Sequence, residues 1–247
     1  MLNNLFLKIL TFLRSVIDYS KKKKVLKFFK YRLNTQPLTI IDIGAHKGET
    51  IDFFINNFHI NKIFSFEPNT DLFLQLKNQL RYNNEKVELI NLGISNIDEL
   101  GELNIMTESS SSTFNSIDQN TSYYKRKKKL FSFFLRGKNF LKKKQEINLK
   151  NLSNIIKDKF IKQIDILKID TEGYEYNVIK GISDVDFKKI RFIYFEHHYD
   201  LMIKKGYKYS DINEILKKKG FNLKYKLKMK FRKSFEYIYE ASKKNTS

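Results

Sequence analysis

The chain contains no cysteine. Neither a disulfide framework nor a thiolate metal site can therefore be built from it, and the composition fits a reducing compartment. Acidic residues are scarce beside basic ones: 27 Asp and Glu face 47 Lys and Arg, a formal net charge of +20. Such an excess favours acidic partners such as nucleic acid, anionic lipid or phosphorylated glycans. Compositional drift explains it equally well, and charge alone does not establish nucleic-acid binding. No apolar run approaches the roughly 20 residues that a spanning helix needs, because Lys8, Arg14 and Asp18 interrupt the first hydrophobic stretch. That stretch does not read as a cleaved leader either: its first charge falls inside the apolar run and no small-residue cleavage site follows. At 247 residues there is room for one sizeable α/β domain and an extension.

The chain is organised around Thr39–Thr50. Ile40, Ile41 and Ile43 are β-branched and read as a buried strand ending beside Asp42. Gly44 and Gly48 frame a tight turn in which the backbone can approach a ligand, since neither carries a Cβ. A helix opens after Glu49. The spacing D-x-G-x-x-x-G differs from the dinucleotide fingerprint G-x-G-x-x-G, yet strand, glycine loop and helix together resemble a nucleotide-type pocket on an α/β sheet. Lys62–Phe66 is a second strand with Glu67 at its tip, nineteen residues after Gly48. A carboxylate there is placed to accept from two ribose hydroxyls. Pro68 ends the strand, and Asn69 or Thr70 caps the next helix. The competing reading is an ordinary βαβ unit whose acids are only caps.

Three blocks in order carry a resemblance: Asp42-Ile-Gly-Ala-His-Lys-Gly-Glu49, Phe66-Glu67-Pro68-Asn69, and Leu167-Lys-Ile-Asp170-Thr-Glu172-Gly-Tyr-Glu175. Over about residues 38–200 the chain resembles the FkbM family of S-adenosylmethionine-dependent methyltransferases. The resemblance implies a Rossmann-like class I methyltransferase fold. This is a mostly parallel seven-stranded sheet with an antiparallel C-terminal hairpin, here with an N-terminal helical extension. It implies S-adenosyl-L-methionine as cofactor, with Asp42, Gly44, Ala45, Gly48, Glu67 and Pro68 on its side. Gly93 and Ile94 stand at the exit of a third strand read over 87–94, and that exit faces the adenine in that architecture.

Residues 1–36 form the extension. Leu2, Leu5, Phe6, Ile9, Leu13, Val16 and Ile17 make one helical apolar face, and Lys21–Lys24 follow. The segment suits either packing on the domain as a cover or lying on an anionic membrane surface. The methyltransferase domain is expected over 37–241, with residues 242–247 a frayed tail. Glu108–Thr113 is a serine-rich loop of a kind that family members often carry here. Its hydroxyls can bind a polyhydroxylated acceptor, or it is merely flexible. Residues 120–145 depart from the family pattern. Lys125–Lys129 and Lys142–Lys144 flank an aromatic apolar core, which suits an anionic interface, bases stacking on phenylalanines, or a lid. Ile164–Ile169 is a buried strand ending in Asp170, Thr171–Gly173 turns, and Tyr174–Lys180 is a helix with Gly181 as its C-cap. Arg191–Phe195 is a further strand, ending in Glu196, His197 and His198. Residues 221–227 and 235–241 alternate as a closing hairpin.

Open α/β sheets bind ligands outside the carboxyl ends of their strands, and four such ends here carry acids or histidines. Asp42 and Glu67 lie on the cofactor side; Asp170, Glu172, Glu196, His197 and His198 lie on the acceptor side. The resemblance implies O-methylation of a sugar, glycolipid or metabolite hydroxyl. A hydroxyl is a poor nucleophile until its proton leaves. Asp170 is the first candidate for base or orienting group and His197 the second. A divalent cation on Asp170 and Glu196 is an alternative that is not expected. Each of these side chains also has a plain role as a helix cap or strand-end packing residue. No Asn-Pro-Pro-Tyr-like block follows the strand at 164–169, which disfavours methylation of nucleic-acid amino groups. A non-catalytic, membrane-associated protein keeping the fold is the other alternative. The expected location is the cytoplasm, with a peripheral place on the membrane through residues 1–30 and 125–144.

Overall fold

The computed structural model describes residues 22–33, 36–79, 82, 84–106, 112–135, 141–229 and 233–242. The apolar face at 2–17, most of the serine-rich loop and the tail from 243 lie outside them.

Seven strands form the main sheet: β1 (Leu38–Ile43), β2 (Ile60–Phe66), β3 (Val87–Ile90), β7 (Ile164–Ile169), β8 (Ile190–His198), β9 (Phe221–Lys228) and β10 (Ser234–Ala241). Their order is β3-β2-β1-β7-β8-β10-β9. The first five run parallel, while β10 is antiparallel to both β8 and β9. Successive residues of the central strands alternate between two cores, as the period of a strand requires. Ile41, Ile43, Leu167, Ile169, Ile193 and Phe195 pack under α5 (Leu152–Asp158), α6 (Glu175–Lys180), α7 (Asp184–Phe187) and α8 (Tyr209–Lys218). Ile40, Ile63, Ile166 and Phe192 face the other way, toward α2 (Glu49–Ile55), α3 (Thr70–Lys77) and the helix α1 over 22–32.

The described part of the extension packs on the domain. Val25, Phe28, Phe29 and Leu33 of this segment are buried. Phe29 meets Phe54 of α2 and Phe192 of β8, with ring centroids 6.2 and 5.6 Å apart. The Arg32 guanidinium lies over the Phe28 ring and reaches Glu240. Lys22, Lys23 and Lys24 remain exposed at the start of the helix.

Two sequence expectations change. The strand expected over 87–94 is two strands in two sheets. The Asn91 side chain donates to the carbonyls of Glu67 and Pro68, and the chain leaves the main sheet there. It re-enters as β4 (Gly93–Ser95) in a second sheet of order β4-β6-β5, with β5 spanning Glu99–Met106 and β6 spanning Leu141–Asn151. The basic insertion separates into a helix, α4 (Ser122–Leu135), and the first turn-free residues of β6. Lys143 and Lys144 are paired within that strand, 2.9 Å from Asp71 and 2.6 Å from Glu102, so the second basic cluster belongs to ordered sheet. Gly181 is the C-cap of α6 as expected, with φ −76° rather than in the left-handed region. Its lack of a Cβ serves a close approach instead: a Cβ would lie 2.3 Å from the Ser95 carbonyl oxygen.

Truncation of Phe29 to Ala is expected to lower unfolding free energy by about 3–5 kcal/mol. Gly181→Ala is expected to lower it by about 1–3 kcal/mol through overpacking. Tyr31, 83 % exposed beside Phe29's helix turn, changes it by under about 0.5 kcal/mol when replaced by Ala. Urea denaturation of the three variants checks this ranking.

Candidate active site

The site is built at the carboxyl ends of β1, β2, β7 and β8. β1 exits through Gly44 at φ 92°, a backbone conformation that L side chains rarely adopt. A Cβ here would lie 2.0 Å from the carbonyl oxygen of Asp170, so the exits of β1 and β7 touch backbone to backbone. The amides of Gly44 and Ala45 both donate to the carbonyl of Phe66 at the end of β2. Gly48, at φ 89°, leads into α2, and a Cβ on it would strike the Tyr82 ring. Tyr82 donates to the Gly48 carbonyl and to Asp52, closing the loop from behind. His46 is held at φ 50° between the two glycines. Its ring lies 3.3 Å from Glu49. Burial pushes the Glu49 carboxyl up, but His46 and the backbone amides overcome this and hold it down at about 2.

Asp42 is fully buried. Oδ2 accepts from the Ser65 hydroxyl at 2.7 Å, while Oδ1 has no hydrogen-bond partner. Burial raises its carboxyl to about 6, against the pull of Ser65 and Lys168. Glu67 accepts from the His46 amide through Oε2 at 2.7 Å and from the Asn69 amide through Oε1 at 2.9 Å. Burial pushes its carboxyl up to about 7. Each carboxylate oxygen carries two acceptor sites, so both retain one after the backbone is satisfied. Pro68 follows, and Asn69 caps α3 through the amides of Asp71 and Leu72. Gly93 and Ile94 sit in β4. Ile94 is part of the core, and a Cβ on Gly93 would meet Leu149 and Phe114, so these two positions face packed side chains.

On the acceptor side, Asp170, Glu172 and Glu196 converge. Asp170 is partly exposed, with Oδ2 3.3 Å from the Lys168 ammonium. Among the described residues Lys168 is the one buried lysine or arginine. Its ammonium lies 4.6 Å from the Tyr194 ring centroid. Burial opposes its charge, but Asp170, Glu236, Glu196 and Asp42 together hold its pKa above the ordinary value. Glu196 accepts from Ser234 at 2.6 Å. Glu236, hydrogen-bonded to Tyr194, is pushed by burial up to about 7. Glu172 stands at φ 48° in the turn after β7, and its Oε2 lies 3.3 Å from Nε2 of His198.

His197 is not brought into this group. Along β8, residues 196 and 198 share one face and 197 takes the other. The His197 ring packs edge-on against Tyr199 near Tyr207, with Nδ1 3.6 Å from the buried Glu175. His198 is the histidine beside Glu172 and Glu196, and strand alternation counted from Glu196 was the available signal. Lys168, Ser65 and Glu236 had no such signal. Lys168 interrupts an apolar strand and reads as an exposed position until the facing acids are placed. Among the described residues no group of three or more His, Cys, Asp or Glu side chains is arranged to hold a metal ion.

The residues fit S-adenosylmethionine. The spare acceptor capacity of Glu67 matches ribose hydroxyls, the orphaned Asp42 Oδ1 marks an unmet polar demand beneath the loop, and the two left-handed glycines keep that loop bare.

No curated protein sequence matches the chain. Among solved structures it is similar to magnesium protoporphyrin IX methyltransferase (ChlM) from Synechocystis PCC 6803 with bound SAM. The TM-score is 0.50 at 9 % identity, covering 92 % of this chain and 81 % of that one. It is also similar to M. capricolum TrmK in complex with S-adenosyl-homocysteine, with a TM-score of 0.50 at 11 % identity, covering 90 % and 68 %. At such identities the likeness shows the fold, the class I methyltransferase sheet with its antiparallel final strands. The model of the methyltransferase FkbM domain matches residues 42–223. With the glycine loop, the β2 acid and the Asp170 turn all inside that match, the chain belongs to the FkbM family of S-adenosylmethionine-dependent methyltransferases.

Proposed function

We propose that the protein transfers the methyl group of S-adenosylmethionine to a hydroxyl of a sugar, glycolipid or related metabolite. The observation that carries this reading is the meeting of Glu172 and Glu196 at His198, in the turn that follows Asp170, whose backbone touches the glycine loop. A hydroxyl acceptor needs oxygen-rich partners to orient it and a group to receive its proton. The bound cofactor supplies an electrophilic methyl on a sulfonium, and positioning provides much of the acceleration. Gly44, Ala45, Gly48 and Pro68 shape the cofactor loop, Glu67 takes the ribose, and Asp170, held by Lys168, orients the acceptor.

The glycolipid form of the reading draws on surface charge. Lys22–Lys24 on α1 and Lys125, Arg126, Lys128 and Lys129 on α4 are exposed, and clusters of this size attract anionic headgroups. Among the described residues no helix is long and apolar enough to cross a membrane, so any attachment by these residues is peripheral. Flotation with phosphatidylserine vesicles should carry the wild type upward. Charge reversal at Lys125, Arg126 and Lys128 should leave more of it at the bottom, and equal flotation removes α4 from the contact.

Calorimetry with S-adenosylmethionine is expected to give micromolar affinity, weakened at least about tenfold in Glu67→Ala through loss of charge-assisted hydrogen bonds. No binding to the folded wild type overturns the enzyme reading.

The pH dependence follows from the same carboxylates. Asp42, Glu67 and Glu236 bind protons more tightly folded than at their ordinary values. The folded apoprotein therefore holds more protons than the unfolded chain, and its stability should fall as pH rises from about 4 to about 7. Ionised Glu67 is the form that accepts from ribose hydroxyls. Cofactor affinity should thus drop about tenfold per unit below roughly pH 7, with Glu67→Gln flat over that range.

A further inference from the structure

We propose that Glu172 receives the proton of the acceptor hydroxyl and that His198 is the positioning residue that holds it for this task; this rests on the hydroxyl-methylation reading of the site. Glu172 is a non-glycine residue at φ 48°, followed by Gly173 at φ 94°. A bulky residue in this region persists only where its surroundings over-determine it. They do so here from three segments. Glu175, fully buried, accepts from the Gly173 amide at 2.7 Å and from the Thr171 hydroxyl at 3.2 Å. The Asn115 amide donates to the Gly173 carbonyl at 2.5 Å, and the Tyr207 hydroxyl bridges that carbonyl and Glu175. The result aims the Glu172 carboxylate at His198.

The neighbouring acids are engaged otherwise. Asp170 is engaged by the Lys168 ammonium, 3.3 Å from its Oδ2. Glu196 is 3 % exposed and takes the Ser234 hydroxyl. Glu175 is occupied by the turn. Glu172 remains, its side chain 15 % exposed, with burial pushing its carboxyl up against the attraction of His198 and Lys127. A base is most effective when its affinity for the proton lies near working pH.

His198 is buried, and its Nε2 has no hydrogen-bond partner. Nε2 lies 3.3 Å from Glu172 and 3.6 Å from Glu196, and Nδ1 lies 3.7 Å from Asp200. Burial would push this imidazole down, but Glu172, Asp200, Glu196 and Glu175 hold it well above its ordinary value. The groups facing Glu172 are thus His198 and Glu196 from β8, Asp170 from β7 and Lys127 from α4. In the step, a lone pair on the acceptor oxygen forms the new carbon–oxygen bond. The carbon–sulfur pair returns to sulfur, leaving a neutral thioether, and the hydroxyl proton passes to the Glu172 carboxylate. The positive sulfonium and the negative carboxylate are both discharged in one event.

The test is NMR titration of the full chain, with 15N-labelled histidine and 13C-carboxyl-labelled glutamate. Only four histidines are present, and His198→Gln and Glu172→Gln assign the two signals. The expected result is a Glu172 midpoint well above the roughly 4.3 of an ordinary glutamate. That midpoint should rise by about one unit in His198→Gln, and the His198 midpoint should fall by about one unit in Glu172→Gln. A Glu172 titrating near its ordinary value, or no change in either partner, overturns the proposal. Should a variant fail to fold, the two wild-type midpoints still decide it. Calorimetry with S-adenosylmethionine on the same samples separates the failures: binding with an ordinary Glu172 sinks this assignment alone, and absent binding sinks the methyltransfer reading with it.

Discussion

The contact between Gly44 and the carbonyl of Asp170 is the constraint on which the site depends. The amide of Asp170 also donates to the carbonyl of Ile43, so β1 and β7 stay paired to their last residues before both chains turn away. The cofactor loop and the acceptor turn thus begin from one shared point. Any side chain at position 44 would drive them apart, and in-line displacement tolerates little misplacement of its reacting atoms. The distance between the two halves is set by backbone, which is less compliant than side-chain packing.

A second constraint is electrostatic. Burying a charge is costly unless it is paired, and the sheet buries several at its centre. Lys168 lies among Asp42, Asp170, Glu196 and Glu236, one cation serving four carboxyls contributed by β1, the β7 exit, β8 and β10. Ser65, Tyr194 and Ser234 supply hydroxyls to three of those acids. Such a cluster stabilises the fold weakly, since a well-packed apolar set is often as good or better. Its value is positional: Asp42, Glu196 and Glu236 are each held by a hydroxyl from another strand, so the polar row fixes their relative places.

Much of this was legible in the sequence. The β-branched run at 40–43, the glycines at 44 and 48 and the acid at 67 carry local signals that depend on backbone sterics alone, and the structure places them as a strand, a left-handed loop and a strand tip. The strand at 164–169 and the closing hairpin were equally plain from their periodicity. What could not be read depended on contacts distant in sequence. The split of 87–94 into two sheets turns on Asn91 reaching back to Glu67 and Pro68. Burial of Lys168 is intelligible once Asp42, Glu196 and Glu236, all from other strands, join Asp170 around it. Lys143 and Lys144 looked like part of a loose basic insertion because Asp71 and Glu102, their partners, lie far upstream. The histidine pair shows the intermediate case, where strand alternation was available but the reading weighed imidazole chemistry before direction.

The placement of α4 has its own consequence. It lies between β5 and β6, which are antiparallel neighbours in the small sheet. β6 is further tied to the main body, where Gln145 donates to Thr70 of α3. The ends of the connecting segment are therefore anchored regardless of what lies between them. Closing a longer loop across fixed ends raises the entropic cost only slowly, by about 0.6 kcal/mol per doubling of length. The exposed Lys125, Arg126, Lys128 and Lys129 of α4 thus stand where charge can change with little penalty to the fold, whereas Asn115 and the buried Tyr124 of the same connection are tied to the rest of the domain. The charge of Lys127 in the same helix also acts on Glu172, so a change of charge along α4 would be felt at that carboxyl. The connection between β5 and β6 is thus a place where surface charge can vary while the two sheets keep their register.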